Sequence, residues 1–293
     1  MGYQEGHMRR SSAIAAVVAG LLLLAGCMVL PGRFASDLAL RKDGTFDFSY
    51  KGEIYLLALS KMAAEERNRK SSDAQFEPST CYSDETGDER ECTSDELAAQ
   101  KKSWEEDVAS SKAAAEEKKK SDEQMMKAML GGIDPSDPRA AQEFADRLRR
   151  QKGWKSVVDK GDGRFEVEYA ISGRLDHDFT FPTIEKLPMI TPFVTLIRRA
   201  DGSVRVEAPA FASGAANSPW MGMATAAADE KSEKAGGDGM PVLDGVLTLV
   251  TDGEILANNT DEGPLAVPTG RKLEWIINAR TATAPTALVR LTR

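Results

Sequence analysis

The stretch RFASDLALRKDGTFDFSY, residues Arg33–Tyr50, places the dipeptide Asp43-Gly44 between two segments in which apolar and polar residues alternate. Alternation with a period of two is typical of a β-strand that buries one face. Asp-Gly between such segments favours a tight turn, because both turn residues must tolerate positive φ. The stretch therefore predicts a β-hairpin.

The same pattern occurs three more times, at Asp162-Gly163, Asp201-Gly202 and Asp252-Gly253, each between strand-like segments. Four hairpins predict about eight strands. Because a hairpin joins antiparallel neighbours, we expect a curved antiparallel sheet. A helix-forming segment is inserted between the strands, so the predicted fold class is α+β.

That insertion covers residues 56–130, which are rich in Ala, Glu and Lys and predict a helical hairpin. Its second helix is expected over Asp95–Leu130, because Thr93 and Glu96 form a capping-box pattern before it and Gly131-Gly132 follows it. The middle of this helix has no apolar stripe beyond alanine, so we expect it to be exposed to solvent.

Two arginines and a continuous apolar run occupy the segment Met8–Cys27, MRRSSAIAAVVAGLLLLAGC. The run is shorter than the roughly 20 apolar residues that a membrane-spanning helix needs, so it predicts a cleaved export signal over residues 1–26. The end of the signal, Leu24-Ala25-Gly26-Cys27, resembles the lipobox of bacterial lipoproteins. That resemblance implies cleavage before Cys27 and acyl chains, such as palmitate, that hold the protein on a membrane. An ordinary secretory signal that ends in a cysteine by chance is the alternative.

Residues 27–293 are then expected to form one sheet-based domain in the cell envelope. Met28 rather than aspartate follows Cys27, which in the Gram-negative lipoproteins that it resembles implies the outer membrane, facing the periplasm. In such an oxidising compartment, we expect Cys81 and Cys92 to form a disulfide bond. The net charge of −8 argues against nucleic acid as a partner.

Catalytic chemistry finds little support, because residues 27–293 contain one histidine, His177, and triad or zinc chemistry generally needs more. The common local motifs of hydrolases and nucleotide-binding enzymes do not occur. We therefore expect no enzyme activity, no cofactor and no metal site. Asp176-His177-Asp178 resembles a ligand cluster, but in a strand the aspartates would share one face and the histidine would take the other. A surface strand of alternating polarity is the favoured interpretation.

Two further polar segments have both a binding and a structural interpretation. The carboxylates of Asp84, Glu85, Asp88 and Glu89 could bind calcium, but their spacing differs from the EF-hand pattern and favours a solvated loop. The segment Asn258–Pro264 could bind a ligand, but its side-chain acceptors are those that a wide turn uses to bond its own backbone.

A flexible loop is predicted over residues 212–241, which are rich in Gly, Ala and Ser. Within it, Trp220, Met221 and Met223 could adapt to an apolar ligand or enter a membrane interface. The alternative is that these side chains cover an edge of the sheet and join the core.

The Asp-Gly hairpin close after Cys27, together with the closing sequence TDGEILANNTDEGP and the later LEW, resembles the LppM-like family of bacterial lipoproteins. This resemblance implies a membrane-anchored, sheet-rich domain that handles lipids or envelope components, and it implies no catalytic residues. We expect a non-catalytic lipoprotein that is held on the membrane by the acyl chains of Cys27 and binds or scaffolds another envelope component. A carrier of a lipid or other apolar ligand is the alternative, and a periplasmic hydrolase is the third interpretation.

Overall fold

The computed structural model describes residues 29–60, 62–63, 76–82, 87–187, 190–212 and 241–291. The chain divides into two compact units, one formed by Met1–Ala64 with Met126–Arg293 and the other by Glu65–Met125. Each unit is described by itself below. The prediction of one domain over residues 27–293 stays a prediction.

The described elements include fourteen strands, two longer helices and a short 3₁₀ helix at Pro209–Phe211. The strands are β1 Val29–Leu40, β2 Thr45–Leu56, β3 Cys81–Tyr82, β4 Glu89–Arg90, β5 Trp154–Asp159, β6 Arg164–Arg174, β7 Phe179–Phe181, β8 Val194–Arg198, β9 Ser203–Glu207, β10 Asp244–Thr251, β11 Glu254–Asn258, β12 Leu265–Val267, β13 Gly270–Asn278 and β14 Thr286–Arg290. The helices are α1 Ser94–Met129 and α2 Ala140–Arg149, and helical residues also follow β2 at 57–60 and 62–63.

Two sheets form the first unit. The larger has seven strands in the order β12-β13-β10-β1-β2-β6-β5, and the smaller has five in the order β11-β14-β9-β8-β7. Neighbours are antiparallel except β1 and β10, which run parallel over eight residue pairs. The α+β class is therefore confirmed. A large, mainly antiparallel sheet is present, as expected, but it has seven strands instead of about eight, and the other strands of this unit form a second sheet. Distant segments of the chain pair as well as hairpin neighbours, which the Asp-Gly pattern does not predict.

Three of the four predicted Asp-Gly hairpins are present. They join β1 to β2, β5 to β6 and β8 to β9. The fourth prediction, at Asp252-Gly253, is wrong, because β10 belongs to the larger sheet whereas β11 pairs with β14 in the smaller one. At this corner the chain passes so close to β14 that a Cβ on Gly253 would lie 2.7 Å from Cγ1 of Val289. The dipeptide thus carries the chain from one sheet to the other.

Aromatic side chains fill the space between the two sheets. Phe181 of β7 lies at the centre, with ring centroids 4.6 Å from Tyr169, 5.1 Å from Phe48 and 5.2 Å from Tyr50. The Tyr50 hydroxyl donates to the Glu53 carbonyl at 2.8 Å, and burial raises the pKa of this phenol well above its usual range. The ring is fully buried and stays a neutral hydrogen-bond donor.

Helix α2 covers part of the larger sheet through its apolar side. Phe144 and Leu148 are both fully buried, and the Phe144 ring lies 5.0 Å from that of Phe165 in β6. The four-residue spacing of these two side chains puts them on one face of the helix. The sequence of α2 thus explains which side of the helix meets the sheet.

Asn259 joins the two sheets by hydrogen bonds. Its Oδ1 accepts from Nε1 of Trp275 in β13 at 2.9 Å and from the amide of Thr286 in β14 at 2.8 Å. Its Nδ2 donates to the Ala284 carbonyl at 2.8 Å. One amide side chain therefore satisfies a buried indole and two backbone groups.

Replacing Asn259 with alanine should destabilise the first unit by about 2 kcal/mol, because the indole of Trp275 and the amide of Thr286 lose their acceptor. Urea unfolding followed by tryptophan fluorescence measures the change. The matched control is Asn258→Ala, since the Asn258 side chain bonds to Thr260 two residues away and should cost less. Equal losses in the two variants would contradict a bridging role for Asn259.

The second unit contains the two-stranded ribbon β3–β4 and most of α1. The predicted disulfide is confirmed: it links Cys81 to Cys92, whose Cα atoms lie 5.2 Å apart. The Gln100 side chain of α1 bonds to the backbone of Ser79, with its Oε1 accepting from the Ser79 amide at 2.9 Å. Helix α1 spans 36 residues, as its sequence predicts. The first helix of the predicted hairpin lies largely outside the described residues.

The N-terminus of α1 carries the predicted capping box. The Glu96 amide donates to Oγ1 of Thr93 at 3.3 Å, and the Thr93 amide donates to Oε2 of Glu96 at 2.8 Å. Arg90 adds two bonds from its guanidinium to the same carboxylate, at 2.8 and 2.5 Å. Hydrogen bonding to Arg90 is the largest cause, and bonding to Thr93 the next, of a Glu96 pKa that is lowered to about 2.

The lowered pKa predicts an acid-sensitive helix end. Because protonation is disfavoured in the folded state, Glu96 stabilises the cap above its ordinary pKa of 4.5, and this contribution is lost as the pH falls towards about 2. Far-UV circular dichroism should show helicity decreasing over that interval in the wild type. Glu96→Gln should reduce this decrease, whereas Glu116→Gln, at an exposed position further along α1, should not. Identical titrations of all three proteins would refute the assignment.

Candidate functional site

Three turns that are far apart in sequence meet at one end of the first unit. The β1–β2 turn at residues 41–44, the bend at 175–178 and the β8–β9 turn at 199–202 contribute to it. The Leu175 amide donates to the Gly44 carbonyl at 2.8 Å, and the Leu291 amide donates to the Gly202 carbonyl at 3.3 Å. The Lys42 amide donates to Oδ1 of Asp252 at 2.7 Å, which brings the corner between the sheets to the same end.

An open cleft of about 630 Å³ lies between the bend and the β8–β9 turn. A smaller depression of about 180 Å³ adjoins it and shares Asp176, Arg198 and Gly202 with it. Most of the side chains around both are charged, and together they contain four bases, four acids and one histidine. These residues are Lys42, Arg174, Arg198, Arg199, Asp43, Asp176, Asp178, Asp201 and His177. We refer to this combined surface as the turn cleft.

Three of its carboxylates accept hydrogen bonds from backbone amides, two within their own turns and one from the end of β8. Asp178 accepts from the Arg198 amide at 2.9 Å. Asp43 accepts from the hydroxyl and amide of Thr45, and Asp201 from the hydroxyl and amide of Ser203. In both pairs the hydroxyl bond is the main cause of a pKa below the usual range of the aspartate. Asp43 and Asp201 therefore serve as charged turn caps, whereas Asp178 joins the bend to the end of β8.

The arginines of the turn cleft bond to backbone carbonyls. Nη1 of Arg174 donates to the Asp43 carbonyl at 2.8 Å, and Nη1 of Arg198 donates to the Leu175 carbonyl at 3.5 Å. A guanidinium has five N–H donors, and within the described residues each of these two side chains uses one of them in a hydrogen bond. The turn cleft thus offers fixed charges of both signs with donor capacity left for a polar partner.

His177 lies in this cleft, but it is part of a bend and not of the strand that the sequence predicts. Asp176-His177-Asp178 forms a bend between β6 and β7, so the predicted surface strand is wrong. The chain has to leave the larger sheet here and enter the smaller one, and this prevents regular strand geometry. Among the described residues, no group of three or more His, Cys, Asp or Glu side chains could hold a metal ion.

A second depression, of about 430 Å³, lies on the outer face of the larger sheet. Asp37 and Asp47 lie in β1 and β2, whereas Lys152 precedes β5 and Lys155 is its second residue. Small side chains separate them, including Ala170. The Asp47 carboxylate is paired with Arg41, and hydrogen bonds from Ser172 and Arg41 lower its pKa. This face has fewer charged groups than the turn cleft.

The polar segment Asn258–Pro264 forms a turn, as the favoured interpretation holds. Besides the contacts of Asn259, Oδ1 of Asn258 accepts from the Thr260 amide at 3.1 Å and from its hydroxyl at 2.6 Å. The side-chain acceptors of these two residues bond to the protein itself, which leaves the ligand interpretation without support.

Several predicted sites lie outside the described residues. They are the lipidation site Cys27, the loop residues Trp220, Met221 and Met223 with nearly all of the predicted loop 212–241, and Asp84 and Glu85 of the acidic segment. Glu89 is described and is part of β4. In the described part of the chain, no helix is long and apolar enough to cross a membrane.

No family model, curated protein or solved structure matches this chain. The resemblances to lipobox lipoproteins and to the LppM-like family therefore stay expectations from the sequence.

Sequence reasoning missed the basic side of the turn cleft. A signal was present, because paired basic residues shortly precede two of the Asp-Gly turns, at Arg41-Lys42 and at Arg198-Arg199. Arg41-Lys42 directly follows β1 and Arg198-Arg199 spans the end of β8, so both pairs lie at the end of the unit where the turns meet. The repetition of this pattern could have indicated a shared charged surface.

Proposed function

We propose that this protein is a lipid-anchored lipoprotein of the cell envelope that binds another envelope component without catalysis. The observation that carries the proposal is the segment Met8–Cys27, in which an arginine pair and a short apolar run end in Leu-Ala-Gly-Cys. The disulfide between Cys81 and Cys92 supports an oxidising compartment. An outer-membrane position facing the periplasm follows if the host is Gram-negative.

The turn cleft is the binding surface that we propose. Exposed arginines recognise carboxylate or phosphate groups through paired N–H donors, and Arg174, Arg198 and Arg199 all border the cleft. Because Asp43 and Asp201 accept from their own turns and Asp178 accepts from the end of β8, the charged rim is held in place by backbone contacts. Such a surface suits a partner that presents acidic and polar groups.

The alternative function, a carrier for an apolar ligand, needs a cavity. In the described part of the first unit, the rings of Phe48, Tyr50, Tyr169 and Phe181 occupy the space between the sheets. This packing favours the binding proposal over the carrier. Native mass spectrometry of protein purified from its own membranes, with co-purifying lipid as the signal, tests the carrier directly.

Changing the lipidation site tests the anchor. We expect Cys27→Ser to remain an unprocessed, unacylated precursor, because the thiol that receives the diacylglycerol is lost. Immunoblotting measures the size of the protein, and membrane flotation measures whether it is anchored. The matched control is the double variant Cys81→Ser, Cys92→Ser, which loses the disulfide and should still mature and float. A Cys27→Ser protein that is still processed and still floats with membranes would contradict the proposal.

Reversing one charge tests the turn cleft. A photo-crosslinking residue at Ala200, on the exposed β8–β9 turn, should form an adduct with the partner in intact cells. Arg198→Glu should reduce that adduct several-fold by repelling acidic groups, whereas Arg198→Lys should retain most of it. A crosslinker at Glu168, exposed on β6, supplies the control position. Equal adducts with Arg198→Glu and the wild type would contradict this assignment.

A further inference from the structure

The first strand begins almost at the proposed anchor. Met28 alone separates Cys27 from Val29, and Val29 is fully buried as the first residue of β1. Consecutive Cα atoms are about 3.8 Å apart, so two peptide units allow a separation of less than about 8 Å. An acyl chain on Cys27 would therefore tether β1 itself to the bilayer, with no linker between them.

The start of β1 belongs to a well-defined end of the first unit. Val29 pairs with Leu56, the last residue of β2. The Leu56 amide donates to the Gly163 carbonyl at 2.8 Å, and the Ser60 hydroxyl donates to the Asp162 carbonyl at 2.7 Å. The β5–β6 turn is thus fixed beside the start of β1. We refer to this end as the anchor end.

The turn cleft lies at the opposite end of the same strands. Strand β1 runs for 12 residues from Val29 to Leu40 and then enters the β1–β2 turn, whose Lys42 and Asp43 border the cleft. At about 3.3 Å per residue, the strand separates the two ends by roughly 35 Å. A protein held by the anchor end would present the turn cleft away from the membrane.

Side chains at the anchor end are compatible with a lipid surface. Val158 and Val242, two of the exposed large apolar residues of the described chain, are 43% and 55% exposed. Val158 is the second-last residue of β5, just before the β5–β6 turn, and Val242 lies two residues before β10, whose Asp244 pairs with Arg33 of β1. Lys160 and Glu166 form an ion pair at 2.8 Å, so the charges here include both signs.

We propose that the anchor end lies against a phospholipid bilayer surface and that the turn cleft faces away from it. This orientation rests on the proposed lipidation of Cys27. It goes beyond that proposal by assigning one end of the first unit to the lipid and the other end to the partner. The short connection supports this orientation, because it keeps the start of β1 within about 8 Å of the lipidated residue, while the turn cleft lies at the other end of the strand.

Labels at the two ends test the orientation in the full, lipidated protein. Lys160→Cys marks the anchor end and Ala200→Cys the turn cleft, and each supplies a unique thiol, because Cys81 and Cys92 are bonded to each other and Cys27 would be acylated. Each variant is labelled with a fluorophore and reconstituted into phosphatidylcholine vesicles that carry an acceptor dye on the lipid headgroup. Energy transfer to the headgroup dye reports the distance of each label from the bilayer.

We expect transfer from position 160 to exceed that from position 200 several-fold. Equal transfer, or stronger transfer from position 200, in protein that floats with the vesicles would overturn the orientation and leave the anchor intact. Protein that does not float at all would overturn the anchor and the orientation with it. The Cys27→Ser background, which should show little transfer from either position, separates tethered from unspecific contact.

Discussion

The contact of aromatic rings between the two sheets is the interaction on which the first unit depends. Phe181 reaches across from the smaller sheet to Phe48, Tyr50 and Tyr169 of the larger one, with ring centroids between 4.6 and 5.2 Å apart. Truncating a buried phenylalanine typically costs about 3 to 5 kcal/mol, a large part of the stability of a domain. This packing therefore fixes the position of the two sheets relative to each other. It thereby also positions the turns at their ends.

Local patterns predicted the parts of the fold that local interactions determine. Asp43-Gly44 forms its hairpin, and the Thr93–Glu96 box begins α1 as its spacing indicates. Asp252-Gly253 shows the limit of such patterns, since its flanking alternation is that of a hairpin but β11 pairs with β14 instead of β10. The choice between these neighbours depends on a strand more than thirty residues away. The parallel contact of β1 with β10 has the same non-local origin.

The candidate site was harder to predict for a similar physical reason. Its residues come from three turns, the first of which is more than a hundred residues away from the other two in sequence, and only the packing of the two sheets brings Asp43, Asp176 and Asp201 to one end. His177 could be singled out from its rarity, but its bend conformation follows from the passage between sheets. The arginines of the turn cleft could not be recognised as site residues one by one, because most arginines are exposed and only their neighbours in the fold indicate a site.

Anchoring through Cys27 is the central claim, and it has a direct chemical test. Trypsin cleaves after Arg33, so a processed and acylated protein should release a peptide over residues 27–33 that carries diacylglycerol on its thiol. Mass spectrometry of protein that is purified from its own membranes and freed of non-covalently bound lipid measures that peptide. We expect a chain that begins at Cys27 with an added mass of lipid, lost on alkaline treatment to the extent of its ester-linked chains. An unmodified Cys27 within a longer N-terminal peptide would contradict the claim.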